Sequence, residues 1–291
     1  MSTGMLKFER KANGGWNMNG TILNARNGHI ELNGFDCDYI SFGRGEDPLI
    51  MLPGVGDGFK TAKGIAVPFA MMYRCFAENF KVYAFSRRND LPEGFTTADM
   101  ADDLNDIMEA LSIGPAHIFG VSQGGMIAQQ MSIRHPDKVK SLVLAVTAPR
   151  PNDLMRESLG GWLEMADRDD YAGIMLDTAE RSYTGAYLER GRMLNRILAM
   201  AKPADYTRFR VLCRSCLEHD AYDDLGKITC PVWIIGADQD RVLGGNASVE
   251  LNEKIPGSRL YMYEGYSHGV YEQAKDFNRR VLRYLMWEKL R

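Results

Sequence analysis

A chain of 291 residues, 45% hydrophobic and 25% charged, has the composition of an ordinary globular protein with room for one large domain or two small ones. A net charge of −3 supplies no basic surface that would make nucleic acid or an anionic membrane its main partner. No apolar run approaches the roughly 20 residues that cross a bilayer, and the opening segment carries charges without the apolar stretch of a secretory signal, so a cytoplasmic address is the default expectation.

Residues 1–28 are rich in Gly and Asn, lack periodicity, and read as an N-terminal arm. Then Gly28-His29-Ile30-Glu31-Leu32-Asn33-Gly34 and Asp38-Tyr39-Ile40-Ser41-Phe42 alternate apolar and polar residues around a turn, the pattern of a half-buried antiparallel hairpin. After it the pattern changes. Pro48–Leu52, Lys81–Phe85, Ala116–Gly120, Ser141–Val146, Cys230–Ile235 and Arg259–Tyr263 are short and mostly apolar, as strands buried on both faces of a parallel sheet must be. Between them, Val67–Phe80, Thr97–Leu111, Gln123–His135, Asn246–Ile255 and Val270–Lys289 read as helices. Thr96 and Asp99 mark one start, and Gly114-Pro115 one stop. Strands alternating with helices predict right-handed crossovers and an α/β fold with a doubly wound, mostly parallel sheet.

Residues 150–224 break the alternation. They contain helical stretches, Leu154–Met165, Asp169–Glu180 and Ala186–Ala201, and no convincing strand. The expected organisation is therefore an arm (1–28), a core in two parts (29–149 and 225–291), and an all-helical cap or lid (150–224) inserted before the second part. Such lids commonly cover active sites. Five cysteines (Cys37, Cys75, Cys213, Cys216, Cys230) make no disulfide framework. Cys213, Cys216 and His219 share a helical face as metal ligands would, but no fourth ligand stands near, and small buried side chains are the expectation, with no metal. Methionines 71, 72, 126, 155, 165, 175, 193 and 200 lie in helices and the lid, where core filling is their ordinary use and an adaptable pocket a second one.

The chemistry begins at Gly120-Val121-Ser122-Gln123-Gly124, followed by Gly125. A buried strand ends at Gly120 and a helix begins at Gln123. A serine on so sharp a strand-to-helix turn is a strained, exposed nucleophile, and the flanking glycines remove side chains that would clash there. The helix N-terminus favours the negative charge that develops on an attacked carbonyl oxygen. Gly265-Tyr266-Ser267-His268-Gly269 follows the last strand, and its histidine sits on a loop free to reach Ser122, as a general base requires. His29, His117, His135 and His219 lie in the hairpin, a strand, a helix end and the lid.

With these motifs the chain resembles the α/β-hydrolase superfamily, over about Ile30 to Ala148 and Ile228 to Leu290. The resemblance implies catalytic residues in the order serine, acid, histidine, and an acid on the turn after the strand at 230–235. Asp240, followed by Arg241-Val242, fits the family's spacing best, and Asp238, closer to Gly236, is the alternative acid. The acid's role would be to hold the tautomer of His268 and stabilise its imidazolium. The oxyanion site needs two backbone N–H donors: Gln123, and Val55 from the turn Leu52-Pro53-Gly54-Val55-Gly56-Asp57-Gly58. The family often has His-Gly where this chain has Pro53-Gly54, and an Asp-x-x-Gly-x-Gly turn where it has Ser86-Arg87-Arg88-Asn89-Asp90. The second departure warns against borrowing any one subfamily's substrate. No strand–GxGxxG–helix unit exists, so no nucleotide cofactor is expected. Lys60 and Lys63 could favour an acidic substrate but read more simply as a solvated face.

The expected activity is hydrolysis of a carboxylic ester of a small organic molecule, less readily an amide or thioester, through an acyl-enzyme on Ser122. Acyl transfer, carbon–carbon hydrolysis with the same triad, and a non-catalytic small-molecule receptor are the rival readings. The expected partner is a small-molecule substrate, with no nucleic acid and no membrane, and a homodimer left open.

Overall fold

The computed structural model describes residues 9–10, 16–17, 22–32, 34–198 and 202–290, so most of the proposed arm lies outside the described residues. Eight strands form the main sheet: β1 (Arg26–Leu32), β2 (Phe35–Phe42), β3 (Asp47–Leu52), β4 (Phe80–Phe85), β5 (Ala116–Val121), β6 (Val139–Ala145), β7 (Val232–Ala237) and β8 (Arg259–Tyr263). Their order is β8-β7-β6-β5-β3-β4-β2-β1. Pairing is parallel from β8 to β4, and the β1–β2 hairpin closes the far edge antiparallel.

The central strands are mostly apolar because helices cover both faces. Every residue of β5 is buried, whereas β1 alternates between exposed and half-buried, as an edge strand with one solvated face does. One apolar cluster, including Ile50, Leu104, Ile118, Ile127 and Leu144, fills one side of the sheet. A second, including Phe42, Phe76, Phe80, Phe119 and Phe277, fills the other. Among the described residues no helix is long and apolar enough to cross a membrane.

Helices α1 (Ala66–Met72), α2 (Thr97–Ala110) and α3 (Gln123–Arg134) connect the first strands. The Thr96 hydroxyl oxygen accepts the Asp99 N–H, and the Asp99 carboxylate accepts the Thr96 N–H, a complete capping box at the start of α2. The single helix expected over 67–80 is shorter. It leaves α-geometry at Tyr73 and tightens into a 3-10 turn at Arg74–Phe76, which delivers Phe76 and Phe80 into the core with no exposed surface. The last helix is also divided, into α9 (Val270–Gln273) and α10 (Phe277–Lys289), because Ala274 turns extended. The break seats Phe277 in the core and lets Tyr263 Oη donate to Asp276 Oδ1 at 3.1 Å.

Between β6 and β7 the described residues form four α-helices, α4 (Asp153–Asp167), α5 (Tyr171–Ser182), α6 (Gly185–Leu198) and α7 (Thr207–Leu217); α8 (Asn246–Lys254) then follows β7. The helix expected to reach Ala201 is described only as far as Leu198. Side chains of α4, α5 and α7 gather with Met126, Val242 and Leu243 into a third apolar cluster, set over the ends of the central strands.

Candidate active site

Ser122 lies between β5 and α3 with φ 54° and ψ −121°, a conformation that costs a residue with a Cβ on the order of 1–3 kcal/mol. The surroundings impose it. The Ser122 N–H donates to the Ala145 carbonyl at 2.9 Å, and its own carbonyl accepts the Thr147 hydroxyl at 2.7 Å. Gly124 explains the sequence around the turn: a Cβ there would stand 2.0 Å from the Leu52 carbonyl oxygen, so α3 passes β3 only with a bare backbone.

His268 sits on the loop after β8, its side chain 9% exposed, and its Nδ1 lies 2.8 Å from Asp240 Oδ2. The other oxygen of Asp240 accepts the N–H groups of Val242 and Leu243 at 2.8 and 2.9 Å. Burial alone would raise the Asp240 carboxyl. The charge and hydrogen bond of His268, with the two backbone donors, outweigh it and hold the group below the usual carboxylate range. Asp238 is exposed and spends Oδ1 on the Gly265 N–H at 2.8 Å, so of the two acids only Asp240 meets the histidine. Ser267, fully buried, locks the loop: its hydroxyl accepts the Arg241 N–H at 3.1 Å and donates to the Arg181 carbonyl at the end of α5.

Ser122 and His268 border one cavity of about 570 Å³, together with the turn Pro53–Asp57. A Cβ on Gly54 would lie 3.4 Å from Ser122 Cβ, which puts the turn carrying Val55 directly against the serine. Gln123 opens α3, where backbone N–H groups have no intrahelical acceptor. The rest of the wall is mainly apolar: Phe69 and Tyr73 on the α1 side, Leu159, Trp162 and Phe209 from α4 and α7. Met72, Met126, Met155 and Met175 also line it, Met165 packs beside the lid cluster, Met71 and Met193 are exposed, and Met200 lies outside the described residues. The pocket use of methionine is thus larger than core filling alone would suggest. Lys60 reaches the cavity from an exposed position, while Lys63 is exposed and not part of it.

The remaining candidates are accounted for by packing. Cys213 and Cys216, on α7, belong to the apolar cluster shared with α4 and α5, and His219 Nδ1 lies 2.8 Å from the Thr97 hydroxyl. His117 lies 2.8 Å from Ser141 Oγ inside the sheet, His29 pairs with Asp38, and His135 with Asp102. What sequence reasoning missed is the side chain of Gln123. Its Nε2 donates to the Leu212 carbonyl and Ser215 Oγ on α7, at 2.8 and 3.0 Å, and its Oε1 accepts Arg87 Nη2 at 2.9 Å. A glutamine beside Ser122 was the only local signal, and it does not say where the amide goes.

A family model described as the alpha/beta hydrolase fold matches residues 47–275. RutD of Caulobacter sp. (strain K31), which bears a carbamate-hydrolase name, is 25% identical over 76% of this chain and 86% of its own. The pimeloyl-[acyl-carrier protein] methyl ester esterase of Chromobacterium violaceum is 27% identical over 64% of this chain and 76% of its own. The enol-lactonase of Burkholderia xenovorans LB400 superposes with a TM-score of 0.75 at 21% identity, over 89% of this chain and all of that one, a likeness of fold.

Proposed function

The chain belongs to the α/β-hydrolase fold family, and from that premise we propose that it hydrolyses carboxylic esters of neutral, largely apolar small molecules through an acyl-enzyme on Ser122. The observation that carries this reading is a serine at φ 54° and the histidine of a His268–Asp240 pair lining the same, mainly apolar cavity. His268 removes the hydroxyl proton as Ser122 Oγ attacks the carbonyl carbon. The N–H groups of Val55 and Gln123 hold the oxygen on which negative charge develops. Collapse of the tetrahedral intermediate breaks the ester bond, and His268 returns its proton to the departing alkoxide. Water, deprotonated by the same imidazole, then attacks the acyl-enzyme and frees the acid. Asp240 holds the imidazole with Nδ1–H toward the carboxylate, which leaves Nε2 for the serine.

Two further observations support an ester of this kind. The cavity has the size of pockets that enclose small organic molecules, and its mainly apolar walls reward apolar groups. One relative named above acts on a methyl ester by its name. The test is fluorophosphonate labelling, with turnover on a panel of p-nitrophenyl and alkyl esters of graded acyl size. Ser122→Ala is expected to lose both labelling and turnover. Wild-type turnover in that variant overturns the proposal, and a product distribution shifted toward transfer when alcohols compete with water would assign acyl transfer instead.

A further inference from the structure

The segment after β4 and the lid helix α7 build a buried polar cluster that the reaction above leaves unused. Arg87 is 5% exposed and Asp57 6% exposed. Nη2 of Arg87 donates to the Pro53 carbonyl and to Gln123 Oε1, so one nitrogen joins the turn carrying Val55 to the residue that follows the nucleophile. The Arg87 backbone N–H donates to Asp57 Oδ2 at 3.0 Å. Arg208, on α7, reaches the same carboxylate oxygen at 2.8 Å and also donates to the Arg88 and Asn89 carbonyls.

The charges do not balance. Asp57 is paired with Arg208, while the Arg87 guanidinium bonds only to neutral oxygens, and its Nε and Nη1 are buried without a hydrogen-bond partner. Two guanidiniums and one carboxylate leave a net positive charge under the turn Pro53–Asp57. Burial weighs against the Arg87 cation, with the field of Asp57 an opposing influence. A buried, incompletely bonded cation is costly to fold around, and such sites gather where charge develops during a reaction.

We propose that Arg87 is a positioning residue of the oxyanion site, fixing the Val55 and Gln123 segments to each other and placing a positive charge behind the oxygen they hold. This rests on the hydrolase reading above. Lid helix α7 is the third anchor. It binds the Gln123 amide through Leu212 and Ser215, and it crosses the turn so closely that a Cβ on Gly58 would lie 2.6 Å from Phe209 Cα. The lid therefore orders the oxyanion site as well as roofing the cavity.

The experiment compares wild type, Arg87→Gln and Arg87→Lys for kcat and KM on one activated ester, with active sites counted by fluorophosphonate titration and affinity measured for an alkyl boronic acid. Positioning acts on the transition state, so kcat per titrated site should fall by about 10- to 100-fold in Arg87→Gln while KM moves within about threefold. Boronate affinity should fall with kcat, and Arg87→Lys, which keeps the charge without the fork, should recover part of both. Unchanged kcat per titrated site in Arg87→Gln, or a rise in KM with kcat unaltered, overturns the proposal. If Arg87→Gln does not accumulate folded, Gln123→Met removes the acceptor of the same bond; it should lower kcat per site by about 10-fold, and unaltered kcat again overturns it. A wild-type protein that neither labels nor turns over defeats the hydrolase reading itself, whereas an active wild type with an equally fast Arg87→Gln defeats this proposal alone.

Discussion

Asp240 holds His268 through one carboxylate oxygen, at 2.8 Å, and is itself held through the other by the N–H groups of Val242 and Leu243. Both oxygens are committed, so the imidazole is presented in one orientation rather than several. Asp238, two residues away, is committed to Gly265 instead.

This division gives the first prediction. Asp240→Asn preserves shape but removes the charge that stabilises the imidazolium and the acceptor that selects its tautomer. We expect kcat to fall by about 10³- to 10⁴-fold. Asp238→Asn keeps an oxygen for the Gly265 N–H and should stay within about threefold of wild type, because surface substitutions away from such features are nearly neutral. Steady-state kinetics on one activated ester checks both, and a reversed order of the two effects would move the acid to 238.

Strain at Ser122 predicts a trade of stability for activity. Ser122→Gly relieves the Cβ of a residue held at φ 54° and should raise unfolding free energy by about 1 kcal/mol relative to Ser122→Ala, with both variants inactive. Urea denaturation of the two proteins is the measurement. Equal midpoints would mean that the turn is not strained.

A pH effect on stability follows from His117. Burial pushes this imidazole down from 6.5 to about 4, with Lys140 adding to the shift. Between those values the unfolded chain takes up a proton that the folded one refuses. Stability should therefore decline as pH falls from about 6.5 toward 4, and be insensitive to this group above that window. His117→Gln should reduce the slope there whatever it does to the absolute stability, leaving the share of His219, which burial pushes down to about 4 as well. Unfolding free energy across pH 4 to 8 for the pair tests the sign.

The cavity wall contributed by α4 predicts substrate size preference. Met155 is fully buried and faces the cavity. Met155→Ala enlarges the space and should shift the preferred acyl chain upward by one to a few methylenes, changing relative kcat/KM between neighbouring chain lengths by about 10-fold. It should also cost about 2–5 kcal/mol of stability. A panel from acetate to octanoate esters shows whether the optimum moves. An unmoved optimum would remove Met155 from the specificity wall.

Much of this protein is legible in its sequence, and the reason is locality. Apolar runs bounded by turn residues identified the strands, because a strand buried on both faces admits few polar side chains. Gly120 to Gly124 marked the turn at Ser122, because the backbone packs so closely at positions 120 and 124 that neither leaves room for a Cβ. His268 stood out by its place after the last strand. Each of these is a property of a few consecutive residues and their own backbone.

What needed the tertiary structure is every pairing between segments distant in the chain. Asp240 and Asp238 lie on the same turn, where spacing favours the first, but the bond to His268 is seen only in the tertiary structure. The breaks near Tyr73 and Ala274 reflect where Phe76 and Phe277 must go in the core, which helical periodicity does not encode. The bridge from Pro53 through Arg87 and Gln123 to Leu212 joins four separate stretches, and no spacing within any one of them announces it. Backbone preference acts between neighbours and can be read in order, whereas a buried charge finds its partners only after the sheet and the lid have closed around it.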